Sequence, residues 1–329
     1  MTMSNTTPFS GNILITGGAG FLGRGILRYI EQSRTRANVT VYSRDEAKHY
    51  ALRARFPGVR TILGDVRDLD RLTAVMAGHD LVIHAAALKH IPEAERDVAE
   101  AIGVNVEGSR SVAWAAMRAG VKTVIGVSTD KACSPRNAYG ATKMLMERAF
   151  EEAQRMAPST MRFACVRYGN VVSSSGSVVP MFLEQFERDG MASITSFSMT
   201  RFWLGIDDAV RLIEYAGGDH RRGHVYVLKC PAMPIEDVAK AVWRYAGHSD
   251  PLPPSRLIGT RPGEKLHETL VDTYEAPYAV DEGDYIVIPP ALSMRGETIQ
   301  AVRPYSSDLP VRTLTIDEMV ELIEDARRV

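Results

Sequence analysis

The stretch Thr16-Gly-Gly-Ala-Gly-Phe-Leu-Gly23 decides the fold. It follows a short apolar run, Asn12–Thr16, and precedes a segment with helical periodicity. Gly17 permits a tight turn, Gly20 lets the backbone approach a pyrophosphate, and Gly23 lets the helix pack closely on the strand. The first amides of the helix, together with its dipole, hold phosphates well. We therefore predict a dinucleotide site whose contacts include Gly17, Gly20, Phe21, Leu22 and Gly23.

Short apolar runs alternate with helical patterns from residue 12 to about residue 167. The runs are rich in Val and Ile, as buried parallel strands are. They are Asn12–Thr16, Asn38–Ser43, Val59–Leu63, Asp80–His84, Thr123–Val127 and Phe163–Arg167. Segments with a period of about 3.6 residues, such as Leu69–Met76 and Ser109–Ala119, lie between them. Alternation implies parallel pairing through right-handed crossovers, so the sequence predicts an α/β fold with a doubly wound, Rossmann-type parallel sheet.

The alternation of apolar runs and helical segments becomes less regular after residue 169, where proline and glycine become more frequent. We predict that residues 1–170 form the dinucleotide-binding domain with the catalytic residues. Residues 171–329 are expected to form mainly a small substrate-binding lobe without a second independent core, with some segments returning to the first domain. The chain ends in a predicted helix opened by a capping box, Thr315-Ile-Asp-Glu318.

Composition excludes several classes of partner. The 329 residues carry a formal net charge of -1, which predicts no nucleic-acid or anionic-membrane binding. No run reaches the roughly 18 apolar residues of a membrane-spanning helix, and Met1 to Ser10 lacks the apolar run of a signal peptide. The three cysteines and eight histidines have no metal-ligand spacing. We therefore expect a cytoplasmic protein with reduced thiols and no metal, in which His84 is a packed strand-end residue.

The end of the second predicted strand bears on the choice between NAD and NADP. An acidic residue there would bond the ribose 2′-hydroxyl and repel a 2′-phosphate. The chain has Ser43-Arg44 instead, and a hydroxyl with a guanidinium suits a phosphate, so NADP is favoured over NAD. In the alternative, Arg44 faces solvent and Asp45 takes the ribose. Further expected contacts are Asp65 and Val66 at the adenine, and Ala85 and Ala86 where the cofactor passes closely.

Tyr139 and Lys143 stand four residues apart, so they share one face of a helix. A lysine ammonium beside a phenol favours the phenolate and lowers the tyrosine pKa toward the range of a general base. Such a base can deprotonate a sugar hydroxyl while hydride leaves the same carbon for nicotinamide. We predict that this pair is catalytic.

Asp130 and Lys131 follow the fifth predicted strand, after Ser128-Thr129, at the edge where ligands bind in such sheets. Epimerisation or simple oxidation needs only the tyrosine and hydride chemistry. Elimination of water also needs a base for a carbon acid and an acid for the departing hydroxyl, which Lys131 and Asp130 can supply. The alternative interpretation is an ordinary ion pair on a surface loop.

A longer set of motifs resembles the inverting UDP-N-acetylglucosamine 4,6-dehydratases of bacterial polysaccharide biosynthesis, which are extended short-chain dehydrogenases/reductases. It begins with Ser128-Thr-Asp-Lys-Ala132, Pro135, Asn137 and Tyr139-Gly-Ala-Thr-Lys143. It continues through Tyr42-Ser-Arg-Asp-Glu46, Gly64-Asp-Val-Arg-Asp68, His84-Ala-Ala-Ala-Leu-Lys-His90, Val166-Arg-Tyr-Gly-Asn-Val171, Gly176-Ser-Val-Val-Pro180, Met199-Thr-Arg-Phe-Trp203 and Arg261-Pro-Gly-Glu-Lys-Leu-His-Glu268. The similarity covers about residues 11–300.

The resemblance implies a mechanism with a role for each matching residue. Tyr139 would deprotonate the 4-hydroxyl of the sugar as hydride passes to NADP. Lys131 would remove the carbon-5 proton, and Asp130 would protonate the departing 6-hydroxyl. Hydride would then return to carbon 6 and a proton to the opposite face of carbon 5, inverting it.

The resemblance also implies the remaining site residues and a homo-oligomer. Thr129 joins the catalytic set, and the further cofactor contacts are Lys89, Asn105, Ser128, Tyr139, Lys143 and Tyr168. The nucleotide-sugar substrate would contact Lys89, Asn170, Pro180, Thr200, Arg201, Arg261 and Glu264. Arg261 or Arg201 would bind the pyrophosphate, and Glu264 the ribose hydroxyls.

Two positions depart from the family pattern. Ser175 stands where an arginine is expected, and Ser196 stands where an aspartate is expected. The two changes remove opposite charges, which is either the matched loss of an ion pair or a reshaped sugar pocket. A 4,6-dehydratase or a 4-epimerase for another nucleotide sugar is therefore the alternative function, and a catalytically silent NADP-binding sensor is a third.

Overall fold

The computed structural model describes residues 7–174, 176–249, 252–295 and 302–328. The strands are β1 (Gly11–Thr16), β2 (Ala37–Ser43), β3 (Arg60–Leu63), β4 (Leu81–His84), β5 (Thr123–Val127), β6 (Arg162–Arg167), β7 (Asn170–Val171), β8 (Ala192–Ile194), β9 (Thr200–Leu204), β10 (Val225–Leu228), β11 (Ala232–Pro234), β12 (Ser255–Leu257), β13 (Thr269–Val271), β14 (Val280–Glu282), β15 (Tyr285–Ile288) and β16 (Tyr305–Ser306).

The α-helices are α1 (Phe21–Gln32), α2 (Glu46–Arg55), α3 (Leu69–Met76), α4 (Ile91–Arg96), α5 (Val98–Ile102), α6 (Gly108–Ala119), α7 (Ala138–Met156), α8 (Val178–Asp189), α9 (Ile206–Gly218), α10 (Ile235–Tyr245) and α11 (Ile316–Ala326). A π-helical turn, Gly103–Glu107, joins α5 to α6. Short 3₁₀ turns span Asp130–Ala132, Ala276–Tyr278 and Ala291–Ser293. None of the helices described here is both long enough and apolar enough to cross a bilayer.

The large sheet has the order β14-β15-β10-β6-β5-β4-β1-β2-β3. From β10 along this order to β3, neighbouring strands are parallel. At the other edge, β15 and β14 pair in antiparallel fashion. The order 3-2-1-4-5-6 is that of a doubly wound dinucleotide-binding sheet, so the predicted fold class is confirmed. All six predicted strands are present, and each boundary differs from the prediction by at most one residue.

The chain reverses its direction of travel across the sheet between β1 and β4. A crevice forms at such a point outside the carboxyl ends of the strands. Buried apolar side chains fix these strands in the centre of the core: Ile13, Leu14, Ile15, Val82 and Ile83 are all inaccessible to solvent. The glycine-rich turn after β1 and the loops after β4 and β5 therefore emerge at one edge.

A second hydrophobic core lies beyond residue 171, contrary to the prediction of a lobe without one. It is built on Phe182 of α8, Trp203 of β9, Val238 and Val242 of α10 and Ile323 of α11. These apolar faces are separated by irregular loops, which is why the sequence rhythm hides them. The predicted capping box at the start of α11 is present. By contrast, α9, β10, β14 and β15 pack with the large sheet.

Candidate active site

The turn after β1 needs glycine for steric reasons. Gly17 has φ of +69°, and a Cβ there would lie 2.7 Å from the backbone of Ala86. A Cβ on Gly23 would lie 2.0 Å from the carbonyl oxygen of Gly18. The amide of Ala85 donates to the carbonyl oxygen of Thr16 at 3.1 Å. The predicted contacts around Gly17 and around Ala85-Ala86 are therefore brought together.

The start of α1 is an open anion cradle. Gly20 is the N-cap residue, no side chain caps the helix, and its first turn contains no acidic residue. Among the described atoms, a Cβ on Gly20 would meet only the carbonyl oxygen of Gly17 within 4 Å, at 3.1 Å. The amides of Phe21 and Leu22 thus keep their hydrogen-bonding capacity for a ligand. A pyrophosphate fits this cradle, because uncapped amides and the helix dipole both favour anions.

Asp45 is engaged by its own helix. Its Oδ1 accepts from the amide of Lys48 at 2.9 Å, and its Oδ2 lies 2.9 Å from Lys48 Nζ. These interactions with Lys48 hold the pKa of Asp45 below its ordinary value. The carboxylate is therefore an N-cap of α2.

Arg44 forms two ion pairs with carboxylates, and both have long nitrogen–oxygen distances. Its side chain is 54% exposed, and its guanidinium lies 3.5 Å from Asp65 Oδ2 and 3.4 Å from Glu100 Oε1. Neighbouring Ser43 places its hydroxyl 2.6 Å from Nε2 of buried His49. Arg44 can consequently turn toward a ligand without breaking a short ion pair.

Asp65 and Val66 have structural contacts at the end of β3. The Asp65 carboxylate accepts from the amide of Arg67 at 2.9 Å and from its guanidinium at 2.6 Å, and these hydrogen bonds lower the pKa of Asp65. Val66 is buried, and a Cβ on Gly108 would lie 2.7 Å from its side chain. Both side chains are therefore fixed by protein neighbours, and their contact with adenine stays a prediction.

A buried polar chain braces the loop after β4. His84 is inaccessible to solvent and bonds Thr16 Oγ1 at 2.8 Å and Ser109 Oγ at 2.9 Å. Burial, with the charge of Lys143, lowers the pKa of His84 to about 3, so the ring is neutral. The expectation of a packed strand-end histidine is confirmed.

Asn105 holds this same loop from behind. Its Oδ1 accepts from the amide of Leu88 at 2.8 Å, and its Nδ2 donates to the Leu88 carbonyl at 2.9 Å and to Thr142 at 3.0 Å. Because Asn105 is fully buried, its side chain is engaged by the Leu88 backbone and Thr142, and its role as a cofactor contact stays a prediction. Lys89, the next residue, is exposed.

Asp130 and Lys131 form a buried pair and not a surface ion pair. Asp130 is inaccessible to solvent, and the Lys131 side chain is 17% exposed. Lys131 Nζ lies 3.0 Å from Asp130 Oδ1 and 3.3 Å from Asn170 Oδ1. Thr129 also donates to Asp130 Oδ1 at 2.8 Å, whereas the buried Oδ2 has no hydrogen-bond partner among the described residues.

Glu268 is a third buried charge beside this pair, and the sequence did not single it out. It is 3% exposed, and its Oε1 lies 3.5 Å from Lys131 Nζ. It also lies 3.9 Å from the guanidinium of Arg201 and 3.6 Å from Lys265 Nζ. The available signal was its place at the end of the motif that begins at Arg261.

The pKa values of these three groups shift in different directions. Burial raises the pKa of Asp130, and Glu268 adds to the rise while Lys131 opposes it. Burial alone would raise the pKa of Glu268, but Lys131, Arg201 and Lys265 lower it. Burial alone would lower the pKa of Lys131, but the two carboxylates raise it. These directions favour the charged forms of Lys131 and Glu268 and the neutral form of Asp130.

Tyr139 is partly exposed at the second position of α7. Burial of its phenol raises the pKa of Tyr139 to about 12, while Lys131 and a hydrogen bond with Thr129 pull it down. The predicted lowering by Lys143 is not seen here: the cation that acts on Tyr139 is Lys131. Asn137 fixes the helix start by accepting from the amide of Gly140 at 2.8 Å.

Lys143 points into the core of the protein. It is 2% exposed, and its Nζ lies 2.8 Å from Met146 Sδ. Burial lowers the pKa of Lys143 to about 8, although Cys165 and Glu147 oppose this. Ser128 is likewise engaged, since its hydroxyl donates to Glu147 at 2.5 Å. Tyr168, a further predicted contact, is buried, and its carbonyl accepts from the amide of Asp130 at 3.0 Å.

The predicted substrate residues divide into exposed and buried groups. Arg261 is exposed, whereas Arg201 is 6% exposed and donates to the carbonyls of Thr200, Leu266 and Lys265. Of the two arginines considered for a pyrophosphate, Arg261 is the one that a ligand can reach. Glu264, Asn170, Thr200 and Pro180 are partly exposed.

The two departures from the family pattern have different outcomes. Ser175 lies outside the described residues. Ser196 is partly exposed, and its carbonyl accepts from the amide of Met199 at 3.3 Å, which closes the turn before β9. The proposed matched loss of an ion pair therefore stays a prediction.

Comparison with known sequences identifies the family. The sequence profile of the polysaccharide biosynthesis protein family matches residues 13–290. The chain belongs to this family. Within it, the inverting UDP-N-acetylglucosamine 4,6-dehydratase of Campylobacter jejuni is 36% identical over 330 residues, covering 95% of this chain and 97% of the relative. The UDP-glucose 4-epimerase of Rickettsia felis is 41% identical over 283 residues, covering 84% and 82%.

Solved structures agree on the architecture of this polysaccharide biosynthesis protein. Pen from Bacillus thuringiensis superposes with a TM-score of 0.88 at 32% identity, covering 98% of this chain and 99% of that one. The dTDP-glucose 4,6-dehydratase DesIV of Streptomyces venezuelae, solved with NAD, has a TM-score of 0.69 at 22% identity, covering 78% and 86%. The second similarity supports the fold alone.

Proposed function

We propose that the chain is a nucleotide-sugar 4,6-dehydratase that inverts carbon 5 and acts on UDP-N-acetylglucosamine. The observation that carries this proposal is the buried Asp130–Lys131 pair next to Tyr139. Transient oxidation at carbon 4 needs a base such as Tyr139. Loss of water needs a further acid and a further base, and a buried pair of opposite types is suited to both roles.

The chain's own groups divide the work as follows. When bound, NADP accepts hydride from the sugar and returns it. Tyr139 takes the proton of the 4-hydroxyl, which leaves a 4-keto group that acidifies the hydrogen on carbon 5. Lys131 removes that proton. Asp130, whose neutral form is favoured by its burial, gives its proton to the 6-hydroxyl as the carbon–oxygen bond breaks and water departs.

The substrate assignment rests on the relatives and on the exposed cations. The dehydratase of Campylobacter jejuni carries the name of a UDP-N-acetylglucosamine enzyme. Exposed Lys89 and Arg261 could neutralise a diphosphate, since arginine and lysine are common phosphate ligands. In this proposal residues 1–170 hold the cofactor and catalytic groups, and parts of 171–329 hold the nucleotide. A UDP-sugar 4-epimerase is the second candidate, favoured by the 41% identity with the Rickettsia enzyme.

Incubation with UDP-N-acetylglucosamine in deuterated water separates the two candidates. The dehydratase is expected to yield a product that has lost one water, carries deuterium at carbon 5 and is inverted there. Mass spectrometry and proton NMR of the sugar measure both changes. An epimerised sugar that retains its water and its carbon-5 hydrogen would support the 4-epimerase instead.

We also propose that the cofactor is NADP and not NAD. Ser43 and Arg44 stand at the end of β2, and Arg44 has no short ion pair to break. The alternative required Asp45 to bind the ribose, but this carboxylate already caps α2 and pairs with Lys48. These contacts engage the Asp45 carboxylate within α2 and turn it away from the role of ribose ligand.

Arg44→Ala is expected to remove most of the preference for NADP. A hydrogen bond to a charged group contributes about 1.5–3 kcal/mol, so NADP affinity should fall about 10- to 100-fold. NAD affinity should change little, because NAD lacks the 2′-phosphate. Calorimetric titration with both cofactors measures the effect, and Arg53→Ala on the neighbouring helix is the control. Equal losses for both cofactors would contradict the role of Arg44.

We also propose that the protein is a cytoplasmic homo-oligomer. Exposed apolar side chains occur at Val98 and Ile102 of α5, Trp114 of α6 and Leu145 of the adjacent α7. Such residues are candidates for burial against a second copy. The three cysteines are free and buried, which suits a reducing compartment. Light scattering on the purified protein measures the oligomeric state.

A further inference from the structure

The segment that ends in Glu268 closes over the catalytic loop through polar contacts. The carbonyl of Gly263 accepts from Asn137 Nδ2 at 3.1 Å, immediately before α7. Lys265 Nζ donates to the carbonyl of Cys133 at 2.7 Å. Glu268 is the point at which this segment reaches the Asp130–Lys131 pair. A carboxylate is thus delivered into the catalytic centre from a distant part of the chain.

The charges around the two acids are unequal. Glu268 lies within 4 Å of the cationic groups of Lys131, Arg201 and Lys265. Asp130 has an ion-pair contact with Lys131 alone among the described residues. Ionisation of both carboxylates beside one buried lysine is unfavourable, because their negative charges repel each other. The carboxylate with fewer cations around it therefore holds a proton more strongly. That acid is Asp130, whereas an unpartnered buried oxygen does not distinguish the two acids, since Asp130 Oδ2 and Glu268 Oε2 both lack a hydrogen-bond partner among the described groups.

The two neighbouring acids favour the protonated form of Lys131, which is the wrong form for its proposed role as a base. A base must carry a free electron pair, whereas Lys131 between two acids holds its proton. The neutral form of Asp130, which its burial favours, cannot accept another proton. The nearest remaining acceptor is Glu268, whose Oε1 lies 3.5 Å from Lys131 Nζ.

We propose that Glu268 is the proton partner of Lys131: it accepts the ammonium proton so that the neutral amine can act on carbon 5 while Asp130 keeps its own proton. This assignment rests on the proposed dehydratase function. In the transfer an N–H bond of Lys131 breaks and an O–H bond forms on Glu268, with no change in the total charge. Burial by itself favours two neutral groups over an ion pair, whereas the cations around Glu268 and the acids around Lys131 oppose the transfer, so the neutral pair is a minor form through which the reaction passes.

Elimination then balances in protons and electrons. The lone pair of Lys131 takes the proton from carbon 5, and the electrons of that C–H bond form the double bond to carbon 6. The C–O bond at carbon 6 breaks toward oxygen, which takes the proton of Asp130 and departs as water. Glu268 does not contact the reacting atoms in this scheme, so it is a positioning residue that acts through Lys131.

Glu268→Gln tests the proposal because it removes the acceptor but keeps the shape. Loss of water and deuterium uptake at carbon 5 should slow by about 100-fold, the lower end of the effect of a positioned proton-transfer group. Reduction of the bound cofactor on mixing with UDP-N-acetylglucosamine should stay within a few-fold of wild type, because it depends on Tyr139. Absorbance of reduced nicotinamide and mass spectrometry of the sugar measure the two steps separately.

The pH profile gives a readout that a merely structural role would not move. Glu268 faces Lys131, Asp130, Arg201 and Lys265, and its charge raises the pKa of Asp130. A raised pKa keeps Asp130 protonated to higher pH, so activity that needs this proton is lost as pH rises through it. In Glu268→Gln the alkaline limb of water loss should therefore move to lower pH by about one unit or more.

Two further variants keep the test decisive. Glu268→Asp retains the carboxylate and should eliminate water faster than Glu268→Gln, despite its shorter side chain. Glu151→Gln removes another buried carboxylate, which lies outside the site and is 2.7 Å from the guanidinium of Arg148. This variant should keep the wild-type pH profile. If Glu268→Gln retains the wild-type rate and profile, or if it slows both steps equally, the assignment is overturned. A wild-type enzyme that releases no water overturns the proposed function itself.

Discussion

Replacement of Lys131 by alanine is expected to stop water loss while the first half of the reaction continues. The variant lacks the base for carbon 5, so the rate of elimination should fall by about 1,000-fold, within the range for a positioned acid or base. Tyr139 and the glycine-rich turn remain, so cofactor binding should persist and oxidation at carbon 4 should continue, although more slowly, because Lys131 lowers the pKa of Tyr139. Reduced cofactor should therefore accumulate on mixing with the nucleotide sugar, and no deuterium should enter carbon 5.

Lys131→Met is the matched control for this experiment. It keeps most of the aliphatic volume beside Asn170 and Asp130 and removes only the amine. If the base is what matters, alanine and methionine should give the same pattern. Normal turnover of either variant would rule out Lys131 as the carbon-5 base. Loss of cofactor reduction in alanine alone would point to a packing defect.

The sequence predicted the first half of the fold closely because every level of local information agrees there. The strands β1 to β6 are short apolar runs with helical segments between them, and the glycine spacing marks the crossover after β1. The same local patterns singled out Tyr139, Asp130 and Lys131 as catalytic candidates, and these three lie within ten residues of one another after β5. Neighbours in sequence at one strand end stay neighbours in space.

The sequence could not supply the long-range contacts that complete the site. Glu268 reaches Lys131 across more than a hundred residues of chain, and no local pattern marks that meeting. Arg201 was one of the two arginines expected at the pyrophosphate, yet its guanidinium donates to backbone carbonyls of Lys265 and Leu266. The sequence motif around an arginine is the same whether its guanidinium binds a phosphate or donates to buried carbonyl groups.

The pKa of Tyr139 shows the same limit at shorter range. The spacing of Tyr139 and Lys143 predicted that the lysine would lower the phenol pKa. In the structure, Lys143 turns inward to Met146, and Lys131 supplies the charge instead. Spacing fixes which residues share a helix face, but the rotamer of a long side chain is decided by the packing around it.

Tyr139→Phe is expected to abolish oxidation at carbon 4, and with it every later step. The variant removes only the hydroxyl oxygen that takes the sugar proton, so turnover should fall by about 1,000-fold or more. Burial raises the pKa of Tyr139 to about 12, so wild-type oxidation should accelerate as pH rises toward that value. The residual rate of the variant should not depend on this group. Stopped-flow absorbance of the bound cofactor across a pH series measures both rates.

Tyr305→Phe separates the role of the base from the general effect of losing a buried hydroxyl. Tyr305 is 5% exposed and donates to the carbonyl of Cys230, so its variant should lose about 1 kcal/mol of stability and keep its turnover. A Tyr139→Phe enzyme that still reduced its bound cofactor on mixing with substrate would contradict the assignment of the base. If Tyr139→Phe and Lys131→Ala both fail but at different steps, the former before and the latter after cofactor reduction, the order of proton transfers follows directly: Tyr139 acts first, and Lys131 acts on the ketone that Tyr139 has made possible.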